Sequence, residues 1–527
     1  MPLIQQGSIN TTALIVPGVY VQIVSPQTIN LNGVPTDVLG LVGTATWGPV
    51  GVPVVCGDAS DYANAFGPVI NRTYDMGTHL AIAIQQGAAN FRCVRATDGT
   101  DVAVTATFLT SLVLTGKYTG SLGNSLYLII GPGSAANTTR FTIGIAGYNP
   151  EVFDNIAGSG GTLWTNIANA INTGNGILRG PSNFVTATAS GGTTAAPTTA
   201  TTYYFTTMTG VTAVTAGTDG ASGMTDALML GNDTIPRTGM YALRSQYCGI
   251  IDLCDVTTYS NFVLQGAFGL SEGAYMICAD PAGSVLSSTG IATAISNKNS
   301  AGLNTYAVKL MFGDWIYWND PVNQVLRLVS PQAFIAGRLA NLSPQQSSLN
   351  KPIYGVVASQ KSGLPGTSQS KSYAQADLAV LFQAGFDVIQ NPLPAGAIWG
   401  AGNGHNCSTN PAISGDNYTR LTNYIGNTLY SGMGLYVGKV INGRLFNRIT
   451  ATLNTFLAGL VKQGLLGLNS DGSNPYTVIC NATNNPQSRT SLGYVQADVA
   501  ITYQGINEKF IVNVQGGTTV VTMASQA

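Results

Sequence analysis

No Asp, Glu, Lys or Arg lies between residues 1 and 36 or between 510 and 527, and both uncharged ends are rich in strand formers. A monomeric sheet protein normally blunts its edges with charge, because an exposed uncharged strand offers N–H and C=O groups to any neighbouring chain. Residues Ala13, Leu14, Ile15 and Val16, the run 19–24, and Thr518, Thr519, Val520, Val521, Thr522 and Met523 therefore read as strands whose purpose is pairing with another chain. Pro17 and Gly18 at one end, and Gly516 and Gly517 at the other, are the expected hinges of these arms.

At 527 residues the chain is past the size at which a single core keeps growing, so two or more domains are expected. Only 9% of the residues are charged, against an average near ~25%. The polar surface must come largely from Ser, Thr, Asn, Gln and Gly, which suits contact with protein. The net charge is −1 and there is no Lys/Arg cluster, so the electrostatic footprint of a nucleic-acid binder is missing. No apolar run approaches the roughly 18–20 residues that span a bilayer, and the first residues lack the pattern of a secretory signal. A soluble protein made in the cytoplasm is expected. The seven cysteines (56, 93, 248, 254, 278, 407 and 480) form no CxxC pair and mostly sit in apolar contexts, so they read as reduced thiols packed like small hydrophobes.

Along the chain, residues 38–44 read as a strand, a short helix starts near Ser60, and a second helix runs from Asp75 to about Gln86, with Asp75 as cap, Met76, Leu80 and Ile84 repeating every four residues, and Gly87 as stop. A strand at 91–95 follows. From about 97 to 244 the composition shifts to Thr, Gly, Ala and Ser, with short alternating runs at 126–130 and 141–145, one helix candidate at 163–171 and a loop at 187–202. This reads as an inserted, outward-facing β-rich domain. Strand and helix then alternate again: strand 274–278, helix 285–296, strands 306–312 and 325–329, and a helix started by Ser330 and Pro331. The strongest helix is 442–462, where Leu445, Ile449, Leu453, Phe456, Leu457 and Leu460 form one stripe and Gly464 supplies the stop. Residues 495–503 alternate as a half-buried strand, for which a hairpin with 509–514 is the natural continuation.

Chemistry has little to work with. Only His79 and His405 are present, which argues against a multi-histidine metal site. His79 reads as a polar-face residue of its helix. His405 lies in the glycine-rich loop 400–406, which could cradle an anion with backbone amides, yet no phosphate-binding fingerprint follows it. There is no GxSxG elbow, HExxH or calcium loop. Asp280, Asp314 and Asp320 read as caps and turn residues, and Trp315, Tyr317 and Trp318 as core or interface. No catalytic, cofactor-binding or metal-binding residue is assigned, no cofactor is expected, and the chain is not expected to be an enzyme.

The order of these pieces resembles the tail sheath proteins of contractile bacteriophages and related contractile injection devices. PGVYVQ at 17–22 has the shape of that family's opening strand, followed by GLVGTATWGPVGVPVVC at 40–56. VSPQAFIAGRLANLS at 329–343 and KPIYGVV at 351–357 look like the family's proline-started helix leading into a Pro-x-x-x-Gly strand. LFQAGFDVIQ at 381–390, IWGAGN at 398–403, the GLLG that ends at Gly467 and VICNATNNP at 478–486 complete the set. The likeness covers both flanking blocks and not the Thr-rich middle. The family's Arg-Arg run is sparse here, reduced to Arg420, Arg444 and Arg448, so specific sheath-to-tube salt bridges are not carried over.

The resemblance implies an α/β fold, a layered core built from N- and C-terminal blocks with an inserted β-rich protruding domain and extended terminal arms. The expected divisions are an N-terminal arm at 1–18, core at 19–96, insertion at 97–245, core at 246–514 and a C-terminal arm at 515–527. It further implies a structural, virion-tail subunit, assembled in the host cytoplasm as stacked hexameric rings around a tail tube, whose contraction drives the tube through a bacterial envelope. The implied partners are copies of the chain itself, the tube, and baseplate and tail-terminator proteins, without direct nucleic-acid or membrane contact. The sheath of a headless device, a β-rich virion or cell-surface binding protein, and a glycan hydrolase using Asp280 and Asp314 are the alternative expectations.

Overall fold

The structure is a computed structural model that describes the backbone of residues 3–6 and 20–23 and residues 31–176, 179–205, 209–364, 366–367 and 372–514. The chain divides into two compact units, one of residues 35–427 with 506–527 and the other of 1–34 with 428–505.

In the larger unit, five short buried runs, apolar apart from Arg92, Arg95, Asp252 and Lys309, set the architecture. Strands Leu39–Gly43, Phe91–Arg95, Ile250–Leu253, Tyr275–Ala279 and Val308–Met311 are buried along nearly their whole length. Strands covered on both faces read as such runs and pair in parallel. They lie side by side in a seven-stranded sheet whose spatial order is Phe386–Asp387, Val308–Met311, Tyr275–Ala279, Ile250–Leu253, Leu39–Gly43, Phe91–Arg95 and Val54–Cys56. Only Val54–Cys56, at one edge, runs antiparallel to its neighbour.

Two of the helices that pack on the sheet start where the sequence predicts. Asp75 accepts from the Thr78 N–H at 2.9 Å and begins helix Met76–Gln85. Pro331 already has helical angles and Ser330 Oγ accepts from the Gln332 N–H at 3.3 Å, opening helix Gln332–Ala340. These two helices touch backbone to backbone: a Cβ on Gly337 would lie 2.5 Å from the Ala83 Cα, so only glycine permits the approach.

Between residues 105 and 215 the chain forms two four-stranded antiparallel sheets. One is ordered Glu151–Ala157, Thr138–Ile145, Leu126–Pro132, Thr201–Tyr204, and the other Val185–Ala189, Leu112–Gly116, Thr105–Phe108, Val211–Thr215. Alternate residues such as Leu126, Leu128 and Ile130 point into a separate apolar core with Phe108, Phe141, Phe153, Phe205 and Trp164 of helix Gly160–Thr173. The buried Arg95 guanidinium donates to the carbonyls of Gly48 (2.9 Å), Thr119 (2.7 Å) and Asp219 (3.1 Å), fastening the strand next to the sheet's edge to this segment and to the chain before and after it.

The smaller unit is built around helix Gly443–Lys462. Asn442 caps it, accepting from the Leu445 N–H at 3.0 Å, and the predicted stripe of Leu445, Ile449, Leu453, Phe456, Leu457 and Leu460 is buried throughout. Against it pack Cys480 and residues of an antiparallel pair, Tyr476–Ile479 with Asp498–Ile501.

Three expectations change. The helix placed at 285–296 starts later, at Gly290, after a 3-10 turn at Ser284–Leu286, because side-chain bonds such as Thr289 N–H to Ser287 Oγ (3.3 Å) favour a turn over a helix start. The loop placed at 187–202 is shorter, since strands take both its ends. The strand placed at 495–503 is confined to Asp498–Ile501, and no hairpin with 509–514 forms. Its partner is chosen instead by Asn485, whose amide donates to the Gln496 carbonyl (2.8 Å) and accepts from the Gln496 N–H (2.6 Å), setting the incoming chain beside the 476–479 strand.

Leu453→Ala should cost about 2–5 kcal/mol by opening a cavity under the helix. Hydrogen exchange should speed up across 443–462 and 476–479 while the seven-stranded sheet keeps its protection.

Candidate functional site

The predicted arm strands Ala13–Val16 and Thr518–Met523, and the hinges Pro17, Gly18, Gly516 and Gly517, lie outside the described residues. What flanks them is described. The backbone of Leu3–Gln6 pairs in parallel with that of Tyr20–Ile23. At the other end, residues 505–514 form neither helix nor strand, and Phe510, Ile511 and Val514 are 83%, 82% and 86% exposed. Large strand-prone side chains thus stand in solvent before residue 515. Among the described residues, a side-chain contact from His405 Nε2 to Glu508 Oε1, at 2.6 Å, ties this stretch down.

The sheet Tyr476–Ile479/Asp498–Ile501 has only two strands, so among the described residues each has one edge without a strand partner. A pair this small is marginal alone and gains from further strands. On the neighbouring helix, Arg444, Arg448, Ala451, Thr455 and Lys462 are exposed. At 100° per residue they fall within about 60° of one another. The sequence from 417 to 470 holds Arg420, Lys439, Arg444, Arg448 and Lys462 and no Asp or Glu. This helix therefore presents a basic face with small residues between its cations.

The histidines, the glycine-rich loop and the buried aspartates are engaged by partners inside the chain. The glycine-rich loop does cradle an anion with its amides, but the anion is the chain's own Asp387. Its Oδ1 accepts from the N–H of Gly402 (3.1 Å) and Asn403 (2.8 Å), and its Oδ2 from that of Gly404 (2.9 Å). Lys309 Nζ, fully buried, donates to Asp387 Oδ2 (2.7 Å) and Asp416 Oδ1 (3.1 Å). Asp416 opens helix Asp416–Met433 and also accepts from Tyr275 OH (2.6 Å) and Ser348 Oγ (2.5 Å). Burial alone would depress the Lys309 ammonium, but Asp387 and Asp416 outweigh it and hold its pKa above the usual lysine range. Burial likewise opposes the Asp416 charge, and Lys309 with the Ser348 and Tyr275 hydrogen bonds brings its pKa below the usual value. One turn on, Arg420 donates to the Leu342 and Ser343 carbonyls, and burial pulls it down to about 10.

His79 is not a polar-face residue. It is 1% exposed, with Nδ1 2.7 Å from Asp252 Oδ2 and Nε2 3.2 Å from Asp255 Oδ1. Two carboxylates facing both ring nitrogens call for an imidazolium that donates twice. Burial works against that charge, but Cys254, Asp252 and Asp255 overcome it and hold the pKa well above the usual histidine range.

The three aspartates do not converge as one cluster of bare carboxylates. Asp280 accepts from Tyr259 OH (2.6 Å), and Asp320 caps a turn through the Val322 (2.9 Å) and Asn323 (3.0 Å) N–H groups. Asp314, accepting from Lys361 N–H (2.8 Å) and Tyr373 OH (2.9 Å), is pushed up to about 6 by burial. The aromatic run is no platform either. Trp318 is buried with Nε1 2.9 Å from Gln85 Oε1, while the half-buried Trp315 donates to the Asp280 carbonyl (3.1 Å). All seven cysteines are free and buried. Sequence reasoning missed Lys309 and Asp252, although a charge inside a buried apolar strand, VKLM or IIDL, is a usable signal.

Lys309→Met should leave Asp387 and Asp416 buried without their cation and cost about 3–5 kcal/mol in urea unfolding. A raised histidine pKa contributes stability that is complete below the unfolded value, 6.5, and declines as pH rises through the folded one. The gap in urea midpoint between wild type and His79→Gln should therefore be larger at pH 6 than at strongly alkaline pH.

No protein-family model and no curated protein matches the chain. Solved structures do. The sheath tail protein from Desulfitobacterium hafniense superposes with a TM-score of 0.55 at 15% identity, over 88% of this chain and 93% of that one. The sheath of the PVC extracellular contractile injection system, in its contracted state, matches with a TM-score of 0.53 at 10% identity, over 96% of this chain and 99% of that one. The helical sheath of the anti-feeding prophage, also contracted, matches with a TM-score of 0.52 at 12% identity, over 95% and 99%. The fold, a mixed α/β chain with several sheets, is that of the sheath proteins of contractile tails and injection systems.

Proposed function

We propose that the chain is the structural subunit of a contractile tail sheath, which stacks as hexameric rings around a tail tube and contracts to drive the tube through a bacterial envelope. The observation that carries this reading is the end-to-end likeness to assembled sheaths, which leaves neither chain with a large unmatched part. The sheath of a headless injection device is supported by the same likeness. In either case the work is mechanical and needs no catalytic residue or cofactor.

In this reading the core comprises 19–96 with 246 to about 505, the β-rich segment 97–245 protrudes, and the arms are 1–18 and the C-terminal stretch. The exposure of 507–514 supports starting the proposed C-terminal arm at about 506 rather than at 515. Strand addition joins subunits: backbone hydrogen bonds supply affinity and alternate side chains supply register. The unpaired edges of Tyr476–Ile479 and Asp498–Ile501 are the docking places for the arms of neighbouring copies. A five-residue added strand contributes on the order of 2–7 kcal/mol before ordering costs, at ~0.5–1.5 per hydrogen bond. Head-to-tail links of this kind propagate into an open helix. The basic face of Gly443–Lys462 fits an acidic protein surface, and we assign it to the tube. Baseplate and tail-terminator proteins cap the two ends.

Removing residues 506–527, or those before Pro17, should leave a chain with an unchanged circular dichroism spectrum and no cylinders by negative-stain electron microscopy. Cylinders formed by the truncated chains would contradict the role of the arms.

A further inference from the structure

Charged side chains are scarce towards the end of the sequence. After Asp498 there is one acid, Glu508, and one cation, Lys509, and none of residues 510–527 is charged. That single carboxylate meets one of the chain's two histidines. His405 Nε2 donates to Glu508 Oε1 at 2.6 Å, from side chains that are 20% and 39% exposed. Among the described residues this is the one hydrogen bond or ion pair made by residues 506–514, which lie in no helix or strand.

The two sides of this contact are held very differently. Next to His405, the Gly404 N–H donates to the Asp387 carboxylate (2.9 Å) and the Gly404 carbonyl accepts from the Asp416 N–H (3.1 Å). The His405 carbonyl accepts from the buried Lys309 ammonium (3.0 Å), and the Asn406 N–H donates to the Ser414 carbonyl (2.7 Å). The backbone on both sides of His405 is therefore tied into the buried charge network, and the imidazole stands on a fixed base. Glu508 stands instead on open chain, with Asn507, Lys509 and Phe510 exposed beside it. The contact thus joins a rigid anchor to a strand-prone segment that little else restrains. An exposed pair of this kind biases an equilibrium by no more than about fivefold. The backbone hydrogen bonds of an added strand run along several residues and outweigh it.

We infer that His405 and Glu508 form a reversible latch, which holds the C-terminal segment on the subunit's own larger unit until a neighbouring chain offers it a strand edge. The last step rests on the reading of 506–527 as an arm; the latch itself does not. By lowering the fraction of subunits whose segment is free, the latch slows pairing between copies without preventing it.

Lys509, the next residue, supplies the readout, because trypsin cuts after it only while Glu508 is off its anchor. Limited digestion of the full-length protein, followed by mass spectrometry, should release the fragment 510–527 about two- to fivefold faster from His405→Ala than from wild type. This substitution leaves the cleavage site and the backbone carbonyl of residue 405 in place. His405→Arg, which keeps a cationic donor, should release the fragment at close to the wild-type rate. Hydrogen exchange over 308–311 should be the same in all three proteins. Equal release from wild type and His405→Ala, or faster release accompanied by lost protection in 308–311, would overturn the latch. Its part in assembly is read separately, from the lag before cylinders form in electron microscopy. His405→Ala should shorten that lag, and an unchanged lag would overturn the role in assembly. Faster release without cylinders from any of the proteins would support the latch and contradict the sheath reading.

Discussion

An ammonium sealed at 0% exposure inside a protein is stable only if anions are brought to it, and Lys309 makes that demand at the heart of the larger unit. Meeting it requires four separate pieces of chain in one place. The strand Val308–Met311 supplies the cation, Phe386–Asp387 supplies one carboxylate, the loop at 402–404 holds that carboxylate with its amides, and the first turn of Asp416–Met433 supplies the other. Removing one member leaves the others charged and buried, which costs far more than the assembled group contributes. The network therefore acts less as a source of stability than as a condition on arrangement. Helix Asp416–Met433 thereby starts at a fixed point of the larger unit.

The parts of the fold that follow from local rules were legible in the residues. Asp75, the Ser330–Pro331 start and the Asn442 cap mark helix beginnings by hydrogen bonds made within three residues, and the leucine stripe of 442–462 declares its buried face by period alone. What was not legible depends on partners distant in sequence. His79 looks like a polar residue on a helix until Asp252 and Asp255, more than 170 positions away, are placed around it. The glycine loop at 400–406 announces an anion site, but nothing local says that the anion is Asp387. The alternation at 495–503 gives a strand without naming its partner, and Asn485 makes that choice.

The same physics separates strands that are free to pair from strands that are not. Among the described residues, those around 476–501 and 506–514 leave strand edges and large apolar side chains open, as the proposed strand exchange between subunits would require. In the β-rich segment, Glu151–Ala157 carries carboxylates and a register break, Val211–Thr215 a register break, and Val185–Ala189 a side-chain amide on its outer edge. A polymer held together by strand addition depends on both: open edges where copies should join, closed ones where joining would fuse neighbouring surfaces.

The central claim is that copies of this chain build a sleeve. Electron microscopy of the purified full-length protein, with helical reconstruction of any filaments, tests it most directly. The account predicts hollow cylinders of six-fold symmetry in which each subunit's terminal strands lie on its neighbours' sheets. Protein that remains dispersed at high concentration, or filaments whose subunits meet without exchanging strands, would contradict it.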